Sequence, residues 1–363
     1  MFEVHSFEKE YKFFKKKINK SIAKVLKSKK YVLNSEVKKF EKNFANYIGT
    51  KYCVGVGSGT DAITIAILSS GIKRNDEIIT SSFTAFPTIT GILNSGAKPV
   101  LVDVNNEDAL INVKNIIKKI NSRTKAIIPV HLYGQSCNLK DIIKIAKKFK
   151  LKVIEDCAQS HGSTFGKRKT GSFGICSAFS FYPTKILGCY GDGGAIVTNS
   201  RKIYETAKKY RNYGEKTKYN NVFNGFNSRL DEIQAAILNT KLKFINKWIY
   251  KRNNLAKIYI NNLKTIKPLK KNSYGLHAYH LFVCIVKKRN NLQKFLKKRG
   301  VNTIIHYPFC INDQKAFLYQ KKEKFINSKN LSKNVISLPL HPWLKEKDII
   351  KISNIVNKFE RYA

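Results

Sequence analysis

Segments typical of β-strands alternate with segments typical of helices between residues 51 and 157 of this chain. The strand segments are KYCVGVGSG, DEIITSS, KPVLVDV, KAIIPVHLYG and LKVIEDC. The helix segments between them are TDAITIAILSSGI, AFPTITGILNSG, VKNIIKKI and NLKDIIKIAKKFK. Such alternation is typical of βαβ units, in which parallel strands form one sheet covered by helices on both faces. The sequence therefore predicts an α/β fold with a mostly parallel sheet.

The regions on either side of this alternation are predicted to be organised differently. Residues 7–48 indicate a helix, a loop and a second helix, because apolar residues recur at helical spacing and Ser35 is suited to cap the second helix. After residue 171 come two short strands, SAFSFY and GGAIVT, and then a helix around residues 201–211.

A smaller second domain is predicted for the C-terminal third of the chain. The stretch from FNSRLDEIQAAIL to INNL contains no Pro or Gly, so it is predicted to be a long or broken helix that joins two domains. Beyond it lie the strand HLFVCIV, the helix NLQKFLKKRG, the strand-like VNTIIHYP and a final helix. We expect a large domain over residues 1–240 and a smaller α+β domain over residues 241–363.

The composition favours a cytoplasmic globular protein. Hydrophobic residues make up 43% of the 363 residues, which is enough for a sizeable core. No apolar run is long enough to span a membrane, and the N-terminus carries charges where a signal peptide needs its apolar stretch. The seven cysteines are scattered and form no CxxC pair, which favours reduced thiols over a disulfide framework or a zinc site. We therefore expect no membrane span and no metal ion.

The formal net charge of +44 has two interpretations. One is a nucleic-acid-binding protein, which usually clusters its basic charge on one face or interleaves basic and aromatic residues. The other is a lysine-rich composition with the lysines on a solvated surface, and the spread of lysines over the whole chain favours this second interpretation. A positive surface still attracts anions such as a nucleotide diphosphate.

Three segments carry residues that are suited to chemistry. Lys185 lies where an apolar strand breaks into a glycine-rich turn, and a lysine of lowered pKa forms a Schiff base with an aldehyde. Asp156 ends the strand LKVIED, at the sheet edge where ligands bind in this fold class. The Gly-Ser-Gly-Thr turn at residues 57–60 opens a helix, and its backbone N–H groups are suited to bind phosphate. Pyridoxal phosphate requires an aldehyde anchor, a carboxylate for its pyridinium nitrogen and a phosphate cup.

Each segment has a plainer interpretation when it is taken alone. The turn at residues 57–60 is also an ordinary strand-to-helix turn with a Ser or Thr cap, and it matches neither a Walker loop nor the GxGxxG fingerprint. Asp156 is equally suited to cap a helix or to form a salt bridge, and His161 is expected to be structural. The combination of the three segments is what favours pyridoxal phosphate.

A longer ordered set of segments resembles the DegT/DnrJ/EryC1/StrS family of sugar aminotransferases, a branch of the fold-type I pyridoxal-phosphate enzymes. The set comprises VLNSEVKKFEKNFANYIG, GSGTDAI, VHLYGQ, EDCAQSHG, FSFYPTK, GDGGAIVTN, RNYG, FNSRLDEIQAAIL, IHYP and ISLPLHP. The resemblance extends over nearly the whole chain. It implies the fold-type I architecture, with a large cofactor-binding domain and a smaller C-terminal domain.

The resemblance also implies roles for individual residues. Lys185 is implied to hold the cofactor aldehyde and to move the proton between cofactor and substrate. Its presence favours amino transfer over the dehydration carried out by family members with a histidine there. Further cofactor and substrate contacts are implied for Asp156 (pyridinium nitrogen), Gln159 (ring oxygen), Gly59, Thr60 and Ser180 (phosphate), Asn227 (phosphate of the neighbouring subunit), and His306 and Tyr307 (sugar nucleotide). The segment SSFTAFPTIT has Ala85 where members often carry an aromatic residue, so Phe83 is implied to stack on the cofactor ring.

The implied activity is transfer of an amino group from L-glutamate to a nucleotide-linked keto-sugar by a homodimer with shared active sites. GSGTDAI and FSFYPTK most resemble members that aminate C-3 of a dTDP- or UDP-linked hexose, for surface glycan or related biosynthesis. Amination at C-4 is the alternative within the family, and a basic nucleic-acid-binding protein is the alternative from another class. A non-catalytic descendant is disfavoured because Lys185 and Asp156 are both present.

Overall fold

The computed structural model describes residues 1–317, 319–320 and 323–359 of the chain. The helices are α1 Phe7–Ser28, α2 Ser35–Ile48, α3 Gly59–Ser69, α4 Phe86–Asn94, α5 Val113–Ile116, α6 Leu139–Lys148, α7 Arg201–Tyr210, α8 Glu232–Leu242, α9 Ile245–Asn262, α10 Arg289–Lys297, α11 Ile326–Asn334 and α12 Glu346–Asn357. The strands are β1 Tyr52–Val56, β2 Glu77–Ser81, β3 Lys98–Val102, β4 Thr124–Ile128, β5 Lys152–Asp156, β6 Thr164–Phe165, β7 Arg168–Lys169, β8 Cys176–Ser180, β9 Gly194–Thr198, β10 Glu215–Thr217, β11 Asn220–Asn221, β12 Lys267–Pro268, β13 Phe282–Ile285 and β14 Val335–Leu338.

A seven-stranded sheet with the strand order β1-β9-β8-β5-β4-β2-β3 forms the centre of the molecule. Strand β9 is antiparallel to both of its neighbours, and the other neighbouring pairs are parallel. The prediction of a mostly parallel sheet in an α/β fold is therefore confirmed.

Helices cover both faces of this sheet. Alternate side chains of a strand point to opposite faces, and strand β8 shows the result. Its Ala178 belongs to the apolar core formed with α3, whereas the next residue, Phe179, belongs to the core formed with α2 and α8. Because both faces are buried, the strands consist mainly of apolar residues.

A second, three-stranded antiparallel sheet of order β12-β13-β14 lies in the C-terminal part of the chain. Helix α9 connects the two regions: Ile249 packs in the core with α2 and α8, while Leu255 and Tyr259 pack in the core of the small sheet. The predicted helical stretch is broken between α8 and α9. The division at residue 240 stays a prediction.

Two local predictions differ from the structure. Residues 301–308 form no regular strand; Val301 and Ile304 make isolated bridges to Phe2 and Ser337 instead. The N-cap of α2 is Asn34 rather than Ser35, because the Asn34 side chain accepts a hydrogen bond from the Ser35 N–H. No helix in the described part of the chain combines the length and the apolar character needed to cross a membrane.

Candidate active site

A cavity of about 330 Å³ opens next to the carboxyl ends of strands β5 and β8. Loops at this edge of a parallel sheet are where ligands bind in open α/β folds. The cavity brings together six residues that the sequence singled out, namely Gly59, Thr60, Asp156, Gln159, Ser180 and Lys185. These residues come from three separate segments, so the fold has gathered them at one place.

Lys185 lines this cavity from the turn that follows β8. Its backbone N–H donates to the Tyr182 carbonyl at 2.9 Å, which closes the turn. Burial lowers the pKa of Lys185 to about 8, and the negative charge of Asp156 opposes that shift. A lowered pKa leaves more of the amine neutral, which is the form that attacks a carbonyl carbon.

Asp156 is the buried last residue of β5. Its Oδ2 accepts a hydrogen bond from Thr88 Oγ1 at 2.8 Å, and its Oδ1 accepts one from the Ala158 N–H at 3.0 Å. Burial raises the pKa of this carboxyl, whereas the two hydrogen bonds and Lys185 lower it. A buried carboxylate that faces a cavity is suited to bind a cationic N–H group, since an opposite charge compensates the cost of its burial.

The first turn of α3 forms another wall of the cavity. Ser58 caps the helix by accepting the Asp61 N–H at 3.1 Å, and the N–H groups of Gly59 and Thr60 have no acceptor within the helix. An added Cβ at Gly59 would lie 2.5 Å from the Cβ of Ser180, so only glycine fits here. This turn is therefore suited to bind an anion such as phosphate.

A chain of hydrogen bonds fixes the orientation of Gln159. The Tyr133 N–H donates to Gln159 Oε1 at 2.8 Å, and Gln159 Nε2 donates to the Tyr307 hydroxyl at 2.8 Å. The Tyr133 hydroxyl in turn donates to the His306 carbonyl, and His306 Nδ1 lies 2.9 Å from Ser337 Oγ. His306 and Tyr307 are thus joined to the cavity through Gln159.

Two predicted residues do not line this cavity. Asn227 is exposed and pairs with Asn212, so its predicted contact with a neighbouring subunit stays a prediction. Phe83 is buried in the apolar core beside Tyr307, with 6.3 Å between the ring centroids. In that segment the cavity is lined by Ala85 and its neighbours Thr84 and Pro87 instead. Phe83 is not among the residues that line the cavity, and its stacking on the cofactor ring stays a prediction.

Three residues near the cavity were missed by the sequence analysis. Tyr182 lines the cavity and lies within the segment FSFYPTK, so its position next to Lys185 was a usable signal. Thr88 on α4 and Tyr133 after β4 act through hydrogen bonds to Asp156 and Gln159, which are distant in sequence. No local sequence pattern indicates such contacts.

The residues present fit a pyridoxal-phosphate site. A half-buried lysine, a buried carboxylate and a helix N-terminus face one cavity, and the glycine at position 59 keeps that helix end open. Gln159 Nε2 is held as a donor because its Oε1 is bound to a backbone N–H. The fold and the site together define a fold-type I pyridoxal-phosphate enzyme.

The chain belongs to the DegT/DnrJ/EryC1/StrS aminotransferase family, whose profile matches residues 13–357. It is 42% identical over 348 residues to the dTDP-3-amino-3,6-dideoxy-alpha-D-galactopyranose transaminase of Aneurinibacillus thermoaerophilus, covering 95% of this chain and 96% of that protein. It is 37% identical over 339 residues to the UDP-2-acetamido-2-deoxy-3-oxo-D-glucuronate aminotransferase of Pseudomonas aeruginosa. That match covers 92% of this chain and 94% of the relative.

The fold also matches a solved structure over almost its whole length. The S. venezuelae protein DesV, determined in complex with a ketimine intermediate, superposes with a TM-score of 0.96 at 33% identity. The match covers 99% of this chain and 98% of DesV. The resemblance found in the sequence is thereby confirmed.

Proposed function

We propose that this protein transfers an amino group from L-glutamate to a nucleotide-linked keto-sugar with pyridoxal phosphate as its cofactor. The observation that carries the proposal is the convergence of Lys185, Asp156 and the first turn of α3 on one cavity. Membership of an aminotransferase family supports it, and two relatives are named as transaminases of dTDP- and UDP-linked sugars.

Pyridoxal phosphate, when bound, supplies an aldehyde that takes up the amino group and a ring that draws electrons from the reacting carbon. Lys185 would hold the aldehyde carbon through its amine and, once the donor amine has replaced it there, would move a proton to and from the substrate carbon. Asp156 accepts a hydrogen bond from the pyridinium N–H and keeps that nitrogen protonated. Thr88 and the Ala158 N–H hold the carboxylate in place for this task.

The phosphate contacts are assigned to the first turn of α3 and to Ser180. The N–H groups of Gly59 and Thr60 bind phosphate oxygens, helped by the positive end of the helix dipole. Asn227 lies on the surface, where a second copy of the chain can place it against the neighbouring phosphate. We therefore propose a homodimer with shared active sites.

The keto-sugar, which accepts the amino group, is assigned to the side of the cavity formed by Gln159, Tyr307 and His306. Gln159 Nε2 binds the ring oxygen of the cofactor, while Tyr307 and His306 contact the sugar nucleotide. Amination at C-3 is favoured because both named relatives act on sugars substituted at that carbon. The positive surface charge attracts the nucleotide diphosphate, and the protein is proposed to act in the cytoplasm.

The visible absorption spectrum of the purified protein, before and after addition of L-glutamate, tests this proposal. A yellow band that bleaches with L-glutamate is expected, and Lys185→Ala should lack the band and all turnover. Lys152→Ala is the control, since Lys152 is also half-buried and donates to the Ser70 carbonyl, but it does not line the cavity. Retention of amino transfer by Lys185→Ala, or no band after pyridoxal phosphate is added, would overturn the proposal.

Product analysis separates the two positions on the sugar. We expect NMR of the product from a dTDP- or UDP-linked 3-keto-hexose to show a new C-3 amine. Turnover of only the 4-keto isomer would show that the C-3 assignment is wrong while leaving the enzyme class intact. Cofactor-independent, salt-sensitive binding to DNA with no transaminase activity would favour the nucleic-acid alternative instead.

A further inference from the structure

Tyr133 is a buried residue whose two polar ends are bound to two different residues next to the cavity. It lies in the loop that follows β4, and only 1% of it is exposed. Its backbone N–H donates to Gln159 Oε1 at 2.8 Å, while its side-chain hydroxyl donates to the His306 carbonyl. One residue therefore holds both Gln159 and the segment that carries His306.

These contacts close into a loop of four residues, which we call the Tyr133 bridge: Tyr133, Gln159, Tyr307 and His306. Gln159 Nε2 donates to the Tyr307 hydroxyl at 2.8 Å, and Tyr307 follows His306 in the chain. Burial makes each of these hydrogen bonds costly to lose, because the group left behind has no water to replace its partner. His306 therefore cannot shift without breaking its bond to Tyr133 or displacing Tyr307 from Gln159.

The Tyr133 bridge joins the central sheet to the small sheet. Gln159 follows β5 of the central sheet, whereas Ile304 forms an isolated bridge to Ser337 in β14 of the small sheet. His306 Nδ1 also lies 2.9 Å from Ser337 Oγ, so the segment with His306 is anchored to the small sheet. The Tyr133 hydroxyl thus holds an edge of the small sheet against the cavity side of the central sheet.

The backbone of Tyr133 is strained in a way that this double contact explains. Its φ of 59° lies in the left-handed region, which large side chains rarely adopt. The Leu281 N–H donates to the Tyr133 carbonyl at 3.3 Å, and the Ala278 N–H donates to the Gly134 carbonyl at 2.7 Å, so the turn is held from outside. Strain of this kind persists where the surroundings fix it, and it is concentrated at functional sites.

We propose that Tyr133 is a positioning residue for the half-reaction in which the keto-sugar takes up the amino group. Its hydroxyl keeps His306 and Tyr307 in place against Gln159. This inference rests on the proposed function, which assigns His306 and Tyr307 to the sugar nucleotide. The groups assigned to the cofactor and to proton transfer, Lys185 and Asp156, make no bond to Tyr133, so the donor half-reaction does not depend on its hydroxyl.

Calorimetric titration of the cofactor-loaded enzyme with dTDP-glucose and UDP-glucose tests the inference, because neither sugar carries a keto group and neither reacts. Tyr133→Phe removes only the hydroxyl and should weaken the tighter of the two complexes about fivefold, as expected for one buried hydrogen bond. Tyr259→Phe is the matched control, since Tyr259 is also fully buried and its hydroxyl also donates to a backbone carbonyl, that of Pro339 at 2.9 Å. Wild-type affinity in Tyr133→Phe would overturn the inference.

The two half-reactions provide a readout that a purely structural role would not divide. L-Glutamate bleaches the visible band, and a dTDP- or UDP-linked 3-keto-hexose restores it. In Tyr133→Phe the half-saturating keto-sugar concentration should rise about fivefold, while that of L-glutamate should equal the wild-type value. Equal increases for both substrates would show that Tyr133 only supports the fold, and the inference would be wrong.

A second variant restores the donor and keeps the test open if Tyr133→Phe fails to fold. Tyr133→4-aminophenylalanine carries an N–H donor at the end of the same ring, so it should bind the sugar nucleotides with wild-type affinity. A fivefold loss of affinity in this variant would contradict the role of the hydroxyl as a hydrogen-bond donor.

Amide hydrogen exchange separates a failure of this inference from a failure of the proposed function. If the wild-type protein binds neither sugar nucleotide, the proposed substrate class is wrong. Exchange at residues 304–307 still reports on the Tyr133 bridge, because it requires neither cofactor nor substrate. It should be faster in Tyr133→Phe than in Tyr259→Phe, and equal exchange in the two variants would show that the hydroxyl does not hold this segment.

Discussion

Lys185 and Asp156 show that the protein keeps two charges in surroundings that disfavour both. Burial lowers the pKa of the lysine to about 8 and raises that of the aspartate, and each charge only partly offsets the shift of the other. Groups with shifts of this kind cluster at functional sites. The pair therefore costs the cofactor-free protein stability, which a site selected only for folding would avoid.

Replacing the amine should stabilise the cofactor-free protein. The pKa of Lys185 falls from 10.5 to about 8, and one pKa unit corresponds to about 1.4 kcal/mol, so Lys185→Met should raise the free energy of unfolding by about 3 kcal/mol at pH 7. The unfolded chain binds the proton more tightly than the folded one between pH 8 and 10.5. The gain should therefore shrink as pH rises through that window. Urea unfolding at pH 7 and pH 10 measures it.

Lys241→Met is the control for this substitution. Lys241 is fully buried, whereas Lys185 is half-buried. Lys241 donates to Glu10 and to the Gly188 carbonyl, so its removal leaves the half-buried Glu10 carboxylate without its ion-pair partner. We expect the free energy of unfolding to fall in this variant. If Lys185→Met lowers the free energy of unfolding instead, the Lys185 amine stabilises the folded protein, and the prediction is wrong.

At the scale of elements, the N-terminus of α3 depends on how closely β8 approaches it. Ser180 ends β8, and a Cβ added at Gly59 would lie 2.5 Å from the Ser180 Cβ and 3.0 Å from its Oγ. The glycine therefore permits contact between the strand end and the helix end, and both supply donors to the same cavity. The geometry ties the proposed phosphate site to the packing of two elements.

Gly59→Ala should weaken the binding of pyridoxal phosphate at least tenfold, because the added methyl group pushes the two elements apart. Absorbance titration of the cofactor-free protein measures the affinity. The double variant Gly59→Ala/Ser180→Gly removes the atoms with which the methyl group collides, so its affinity should return to that of Ser180→Gly alone. If Gly59→Ala binds pyridoxal phosphate with unchanged affinity, the turn at Gly59 does not contribute to cofactor binding.

The N-terminus of α2 is held by a residue almost 200 positions away. The buried carboxylate of Glu232 accepts the N–H groups of Asn34 at 2.6 Å, Val37 at 3.0 Å and Glu36 at 2.9 Å. It thus satisfies donors that have no acceptor within the helix, and its negative charge lies at the positive end of the helix dipole.

Glu232→Gln should lower the free energy of unfolding by about 2 kcal/mol, since an amide has only one accepting oxygen and its NH₂ would face a backbone N–H. Asp231→Asn is the matched control, because Asp231 is exposed and its side chain makes no cap hydrogen bond to α8. Urea unfolding compares the three proteins. Equal losses of unfolding free energy in both variants would show that the Glu232 contacts do not stabilise the protein more than an exposed carboxylate does.

At the scale of the whole molecule, local patterns predicted most of the fold and the central part of the site. The strand–helix alternation predicted the sheet, and Lys185, Asp156 and the turn at Gly59 were found from their positions next to predicted strands. Contacts between distant segments could not be predicted. The bonds from Thr88 to Asp156 and from Glu232 to α2 depend on how the elements pack, which periodicity does not encode.

Histidines that are buried in the neutral form make the stability of the folded protein depend on pH. Burial lowers the pKa values of His161 and His277 to about 3, far below the usual 6.5. Between pH 6.5 and 3 the unfolded chain binds more protons than the folded one, so stability falls as pH drops through that window. At pH 5.5 each of these two histidines should reduce the free energy of unfolding by about 1 kcal/mol.

His161→Phe should remove the contribution of His161 to this loss of stability at low pH. The His161 ring lies between Phe179 and Phe181, with centroid distances of 5.5 and 5.9 Å, so an apolar ring suits its surroundings. The loss of unfolding free energy between pH 7.5 and pH 5.5, measured with urea, should be about 1 kcal/mol smaller in the variant than in the wild type. Contributions from carboxylates are common to both proteins and cancel in this comparison. An identical pH dependence would show that the pKa of His161 is not lowered in the folded protein, which would contradict the prediction.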